Sequence, residues 1–193
     1  MPNLRHGHAT LYGFLRSEIL NQPQLHLQVD GEAGVGKSHL IKVLSAHLQQ
    51  LTPARGKANP VARAAPTGVA ACGIIGRIMH SLFRLPIKAS SFAPLRPGNL
   101  SSLQSTLRHI KYLIVDEKSM LSFRMLYFLH ARCQEIFPGS ADLLFGGLNV
   151  ILFGDIYQLP PVGQIALNNY SARRTNSMFL DALSTSASIE LLS

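Results

Sequence analysis

Eight residues, GEAGVGKS from Gly31 to Ser38, constrain this chain more than any others, because of what flanks them. Before them, residues 24–29 (QLHLQV) are short, β-rich and partly alternating, which predicts a strand; after them, residues 38–50 set Leu40, Ile41, Leu44 and Leu48 at helical spacing. Strand, glycine loop and helix in that order give the G-x-x-x-x-G-K-[ST] spacing the context it needs. Gly31, Gly34 and Gly36 let the backbone turn and approach a ligand without Cβ clashes, so successive N–H groups can face one concavity at the helix N-terminus. Such a concavity favours the phosphates of a nucleotide. Lys37 is expected to reach the outer phosphates and the Ser38 hydroxyl to ligate Mg²⁺; Glu32, Ala33, Val35 and His39 complete the candidate nucleotide-binding stretch. The alternative is a plain glycine turn with a solvated lysine.

At 193 residues the chain fits one domain, expected to span 1–193 with residues 1–22 as a helical lead-in, and is too short for two nucleotide-binding folds. Lys plus Arg outnumber Asp plus Glu by 18 to 10, a net charge of +8 that favours polyanionic partners. Charged residues reach only 15% while apolar ones reach 47%, which suggests apolar surface meant to face another body. Cys72 and Cys133 lie far apart with no C-x-x-C, so neither a disulfide framework nor a zinc site is indicated, and a reducing interior compartment fits. No apolar run is long enough to span a membrane, and the opening lacks an apolar signal core. Arg5 and Arg16, with Glu18 the one acid nearby, leave a mitochondrial presequence open.

Along the chain, Leu11, Phe14, Leu15 and Ile19 predict a helix over 10–20. A basic loop, TPARGKANP, leads to a strand at 61–65 that Pro66 stops, and Thr67-Gly68 opens a short helix. A Pro- and Ser-rich loop over 86–98 precedes a helix at 99–109. KYLIVDEKSM supplies a near-continuous apolar run, the mark of a strand buried on both faces of a parallel sheet. A helix over 120–137, a turn at FPGSAD and another buried strand at 149–153 follow. This alternation predicts a three-layer α/β domain with a mainly parallel sheet.

A phosphate loop needs a second acid for its metal, and hydrolysis needs a group to orient water. Asp116 and Glu117 end the apolar run, where strand C-termini share one edge with the loop, so Asp116 is placed to hold Mg²⁺ directly or through one of its waters and Glu117 to take a proton from attacking water. A solvated acid pair at a helix start is the alternative. The other buried strand runs into GDIYQLPPV, in which Gln158 can donate and accept at once and so sense a γ-phosphate, a plain turn residue being the alternative, while Pro160 and Pro161 stiffen the chain beyond it.

Taken together, GEAGVGKS, APTGVAA, GRIMHSLF, VDEKSM and GDIYQLPPV, in that order, resemble the Pif-type and RecD-type branch of superfamily-one DNA helicases over residues 22 to 193. The resemblance implies a RecA-like P-loop NTPase motor domain that uses ATP and Mg²⁺ to move on single-stranded DNA, 5′ to 3′, in DNA repair, recombination or telomere maintenance. It implies Lys37, Glu117 and Gln158 as catalytic residues, Gln158 being the γ-phosphate sensor, and makes the nucleus of a eukaryote, or the mitochondrion, the expected compartment. Thr67 and Gly68 look like the family's first DNA motif, suited to a phosphate, and His80 and Phe83 resemble the next, where an imidazole and a ring flank unpaired bases. For His80 a satisfied surface histidine, and for Phe83 a core residue at helical spacing with Met79, stay open.

Two departures from the family pattern stand out. His8 occupies the place of a glutamine that reads the adenine edge, and the sequence stops at SIELLS, which resembles the strand leading out of the first motor domain. The second RecA-like domain and its arginines are therefore expected as a partner from outside these residues, without which ATP is bound but turned over feebly. A nucleotide-gated DNA-binding module or degenerate mobile-element helicase fragment, and a P-loop small-molecule kinase, are the rival readings.

Overall fold

The structure is a computed structural model that describes residues 4–5, 13, 24–51, 58–87, 89–155 and 187–191. Its strands are β1 (Leu4–Arg5), β2 (His26–Gly31), β3 (Val61–Ala65), β4 (Arg77–Ile78), β5 (Tyr112–Val115), β6 (Asn149–Gly154) and β7 (Ala187–Leu191). The helices are α1 (Lys37–Leu51), α2 (Gly68–Gly73), α3 (Met79–Phe83), α4 (Pro97–Leu107) and α5 (Phe123–Ile136). One seven-stranded sheet runs in the order β1-β7-β2-β6-β5-β3-β4, and every pairing between its described strands is parallel. That bears out the α/β expectation and sharpens it from mainly to wholly parallel.

Burial explains the near-continuous apolar runs of β5 and β6. On β5, Leu113 and Val115 face the cluster built with α3, α4 and α5, while Tyr112 and Ile114 face the cluster built with α1. On β6, Val150 and Leu152 join the first cluster and Ile151 and Phe153 the second. A strand covered by helices on both sides has no polar face to show in its alternation. In α1, Leu40, Ile41, Leu44 and Leu48 are all buried, as their spacing requires.

Several boundaries differ from expectation for local reasons. β2 starts at His26 because Leu25 N–H donates instead to the Asn149 side chain, at 2.8 Å, and Gln24 donates to the Leu148 carbonyl at 2.9 Å. Helix α4 starts at Pro97, whose fixed φ suits a first helical position. The stretch read as one helix over 120–137 is a 3₁₀ turn at Lys118–Met120 followed by α5, which the Ser122 hydroxyl caps by accepting from Met125 N–H at 3.2 Å. Of the helix expected over 10–20 only Gly13 is described, and it is helical. His8, Gln158, Pro160 and Pro161 lie outside the described residues. No helix among those described is long and apolar enough to cross a membrane.

Candidate nucleotide site

Parallel pairing puts the C-terminal ends of β2, β6, β5 and β3 along one edge of the sheet, so the segments that follow them converge. The loop after β2 carries Gly34 and Gly36 at φ of +87° and +88°, a region that side chains rarely adopt. A Cβ added at Gly34 would meet nothing within 4 Å, so the glycine there serves backbone conformation and leaves an open concavity. Helix α1 begins at Lys37, whose Nζ folds back over the loop to donate to the carbonyls of Gly31 at 2.6 Å and Glu32 at 2.7 Å. Those bonds hold an ammonium at the mouth of the concavity. Glu32, Ala33, Gly34, Ser38 and His39 are exposed around it, and Val35 and Gly36 are half-buried.

Asp116 follows β5 and is buried, its N–H extending the ladder to the Ala64 carbonyl at 3.0 Å. One of its oxygens accepts from the Glu117 N–H at 2.9 Å. Glu117 sits in the left-handed region, φ 58° and ψ 47°, which turns the chain sharply after the strand. Burial raises the Asp116 carboxyl above its ordinary range, opposed by the Glu117 N–H and the charge of Lys37. Burial and then Asp116 raise Glu117 as well, with Asp155 adding to the rise and Lys37 opposing it. The charge of Lys37 thus reaches both carboxylates.

The donor set fits a hard divalent cation. Among the described residues no cluster of His, Cys, Asp or Glu could hold a metal by protein alone; the Ser38 hydroxyl and the buried Asp116 carboxylate would be the donors offered to a cation held jointly with phosphates and water. A carboxylate that burial disfavours when ionised gains from such a cation.

Sequence reading did not single out three residues of this edge. Asp155, buried beyond β6, acts on Glu117; Lys118, buried beyond Glu117, pairs with Asp30 at 2.8 Å at the end of β2. Burial lowers the Lys118 ammonium below its ordinary range, and Asp30 opposes that. A charge at the variable position of DE-x-SM, together with an acid just before the glycine loop, was the signal available.

The expected DNA contacts divide. Thr67 caps α2, its hydroxyl accepting from Ala70 N–H at 3.3 Å, and Gly68 is exposed beside it at the strand-end edge. His80 is half-buried, its imidazole lowered by burial, and it lines a cleft of about 280 Å³ with Leu85, Ser122, Arg124 and Phe128. Phe83 corrects its expected role: it is 0% exposed, in the core with Met79 and Leu82, and no base can stack on it there. Its side chain follows the buried face of α3, as helical spacing with Met79 allows. Arg84 spends its guanidinium on the Asn99 carbonyl at 2.6 Å and the Ser102 hydroxyl at 3.2 Å.

Comparison with known proteins bears on this geometry. The family model for PIF1-like helicases matches residues 7–182. The chain belongs to the PIF1-like helicase family. It is 32% identical over 175 residues to the ATP-dependent DNA helicase Pif1 of Bdellovibrio bacteriovorus, a match covering 80% of this chain and 38% of that protein. It is 38% identical over 136 residues to the ATP-dependent DNA helicase PIF1 of Danio rerio, covering 68% of this chain and 19% of that one. In structure it resembles Pif1 from Bacteroides in complex with ADP-AlF3 and single-stranded DNA, with a TM-score of 0.62 and 25% identity over 92% of this chain and 35% of that one. Unliganded Pif1 from Bacteroides gives 0.65 and 27% over 85% and 34%. The chain therefore spans well under half the length of these PIF1-like relatives.

Proposed function

We propose that this chain binds ATP and Mg²⁺ at Gly31–Ser38 and forms one RecA-like unit of a DNA helicase that couples hydrolysis to movement on single-stranded DNA. The observation that carries the reading is the convergence of Lys37, Asp116 and Glu117 at one sheet edge, each within electrostatic reach of the others. Family membership, and relatives solved with ADP-AlF3 and single-stranded DNA, support it.

In this mechanism the loop amides and Lys37 orient the phosphates, with the Lys37 ammonium exchanging its carbonyl partners for phosphate oxygens. Ser38 and Asp116 would hold Mg²⁺, which when bound neutralises charge on the phosphates. Glu117 accepts the proton of the attacking water. Gln158, two residues beyond Ile156 in the segment after β6, is assigned the sensing of the γ-phosphate. Thr67, Gly68 and His80 are assigned to the DNA, with Phe83 supporting α3 from beneath. A second RecA-like unit is assigned the arginine that stabilises the transferring phosphoryl group, a contribution of about 10³ to 10⁵ in rate. Work on DNA supports a location inside the cell, and the nucleus or mitochondrion is assigned for a eukaryotic source.

The test measures ATP affinity and turnover with and without single-stranded DNA, for this chain alone and joined to a second RecA-like unit. Lys37→Ala is expected to abolish ATP binding, and Glu117→Gln to keep it while removing DNA-stimulated turnover from the joined form. Undiminished ATP affinity in Lys37→Ala would overturn the assignment. DNA affinity shifted by ATP without turnover in either form would make the chain a nucleotide-gated binding module instead.

A further inference from the structure

Lys118 leaves the turn after β5, yet its ammonium ends on β2, and in the sheet β6 lies between those two strands. The side chain therefore crosses the end of β6. It crosses at Gly154, where an added Cβ would fall 2.4 Å from Lys118 Cγ and 3.3 Å from its Cδ. Beyond that point Nζ donates to Asp30 Oδ2 at 2.8 Å and Gln28 Oε1 at 3.0 Å. The lysine is 5% exposed, and the second Asp30 oxygen, Oδ1, is buried with no hydrogen-bond partner.

Stability alone is a poor account of this pair. Replacing a buried ion pair by uncharged groups of similar size is often neutral or stabilising, whereas the pair imposes a specific geometry on whatever it joins. What it joins is informative. Asp30 adjoins Gly31, whose carbonyl receives Lys37 at 2.6 Å, and Lys118 adjoins Glu117, whose N–H bonds Asp116 at 2.9 Å. A single side chain connects the two halves of the nucleotide site and passes over the strand that leads to Asp155.

We infer that Lys118 is a positioning residue: clasped by Asp30 and Gln28 across Gly154, it fixes the phosphate loop and the Asp116–Glu117 turn at the separation that lets metal-bound nucleotide engage both. The inference rests on the nucleotide reading above and deepens it. In that reading metal-free ATP engages only the loop, so the clasp matters where both halves must be met at once.

The experiment compares ATP affinity in EDTA with affinity in Mg²⁺, the ratio reporting how well loop and carboxylate turn are aligned. Lys118→Met is paired with Asp30→Asn so that no charge is stranded. The paired variant is expected to bind ATP in EDTA within about twofold of the parent and to melt near the parent temperature, while the Mg²⁺ enhancement falls by about tenfold, the scale of a lost supporting contact around a metal ligand. Gly154→Ala, which leaves both charges in place but displaces the lysine stem and presses on the Lys118 backbone N at 3.1 Å, is expected to show the same selective loss. An unchanged enhancement in either variant, or a parallel fall in both affinities together with melting temperature, overturns the inference. A parent chain that binds no ATP, or binds it equally with and without Mg²⁺, overturns the proposed function itself.

Discussion

Phe83 and His80 stand three positions apart in one short helix, and the structure gives them opposite fates: one is sealed in the core, the other lines a cleft. Phe83→Ala is expected to cost about 3–5 kcal/mol of stability, read from urea unfolding, because the surrounding Met79, Leu82 and Val115 cannot close the space. His26 gives a pH signature. Its ring packs 5.9 Å from Phe145, its Nε2 is buried without a hydrogen-bond partner, and burial together with His130 lowers it from 6.5 to about 4. The unfolded chain then binds the proton more readily than the folded one between those values. Stability from this group is full above pH 6.5 and is lost as pH falls toward 4, on the order of 2 kcal/mol. Melting temperatures across that range should fall with acid, and less so in His26→Phe. Residues whose chemistry fixes a backbone need, such as Gly34 and Gly36, were legible from the sequence. Phe83 divided: its helical spacing with Met79 offered the core placement the structure shows, while the family resemblance pointed it at DNA.

Element by element, the strands were read more accurately than the helix starts. The strand at Val61–Ala65 was legible to the residue because Pro66 removes the next donor. Helix α5 was placed too early: apolar spacing runs unbroken from Met120, but Glu117 in the left-handed region and extended Leu121 interrupt the helix before it begins. Ser122 was the readable signal. Ser122→Ala is expected to lose about 1 kcal/mol, measured by denaturant midpoint, with the Met125 N–H left without its cap. The two-residue strand β4 escaped notice because so short a segment carries no periodicity; it exists through pairing with Ala64 and Ala65. Gly76 lets it approach, since a Cβ there would sit 2.7 Å from the Arg63 carbonyl.

At the scale of the molecule, the alternation of strands and helices was enough to foresee a parallel sheet, and the motif order enough to foresee the family. Strand order was not foreseeable, because pairing between strands distant in sequence leaves no local trace. That order carries a consequence for biogenesis. Leu27 pairs with Ile151 on one side and Ala187 on the other, so the strand bearing the phosphate loop is walled only by segments translated long after it. While the ribosome is still synthesising the middle of the chain, β2 has emerged with both hydrogen-bonding edges bare. Vectorial synthesis therefore delivers the cradle first and its walls last, so β2 completes its ladders only once Ala187–Leu191 has emerged.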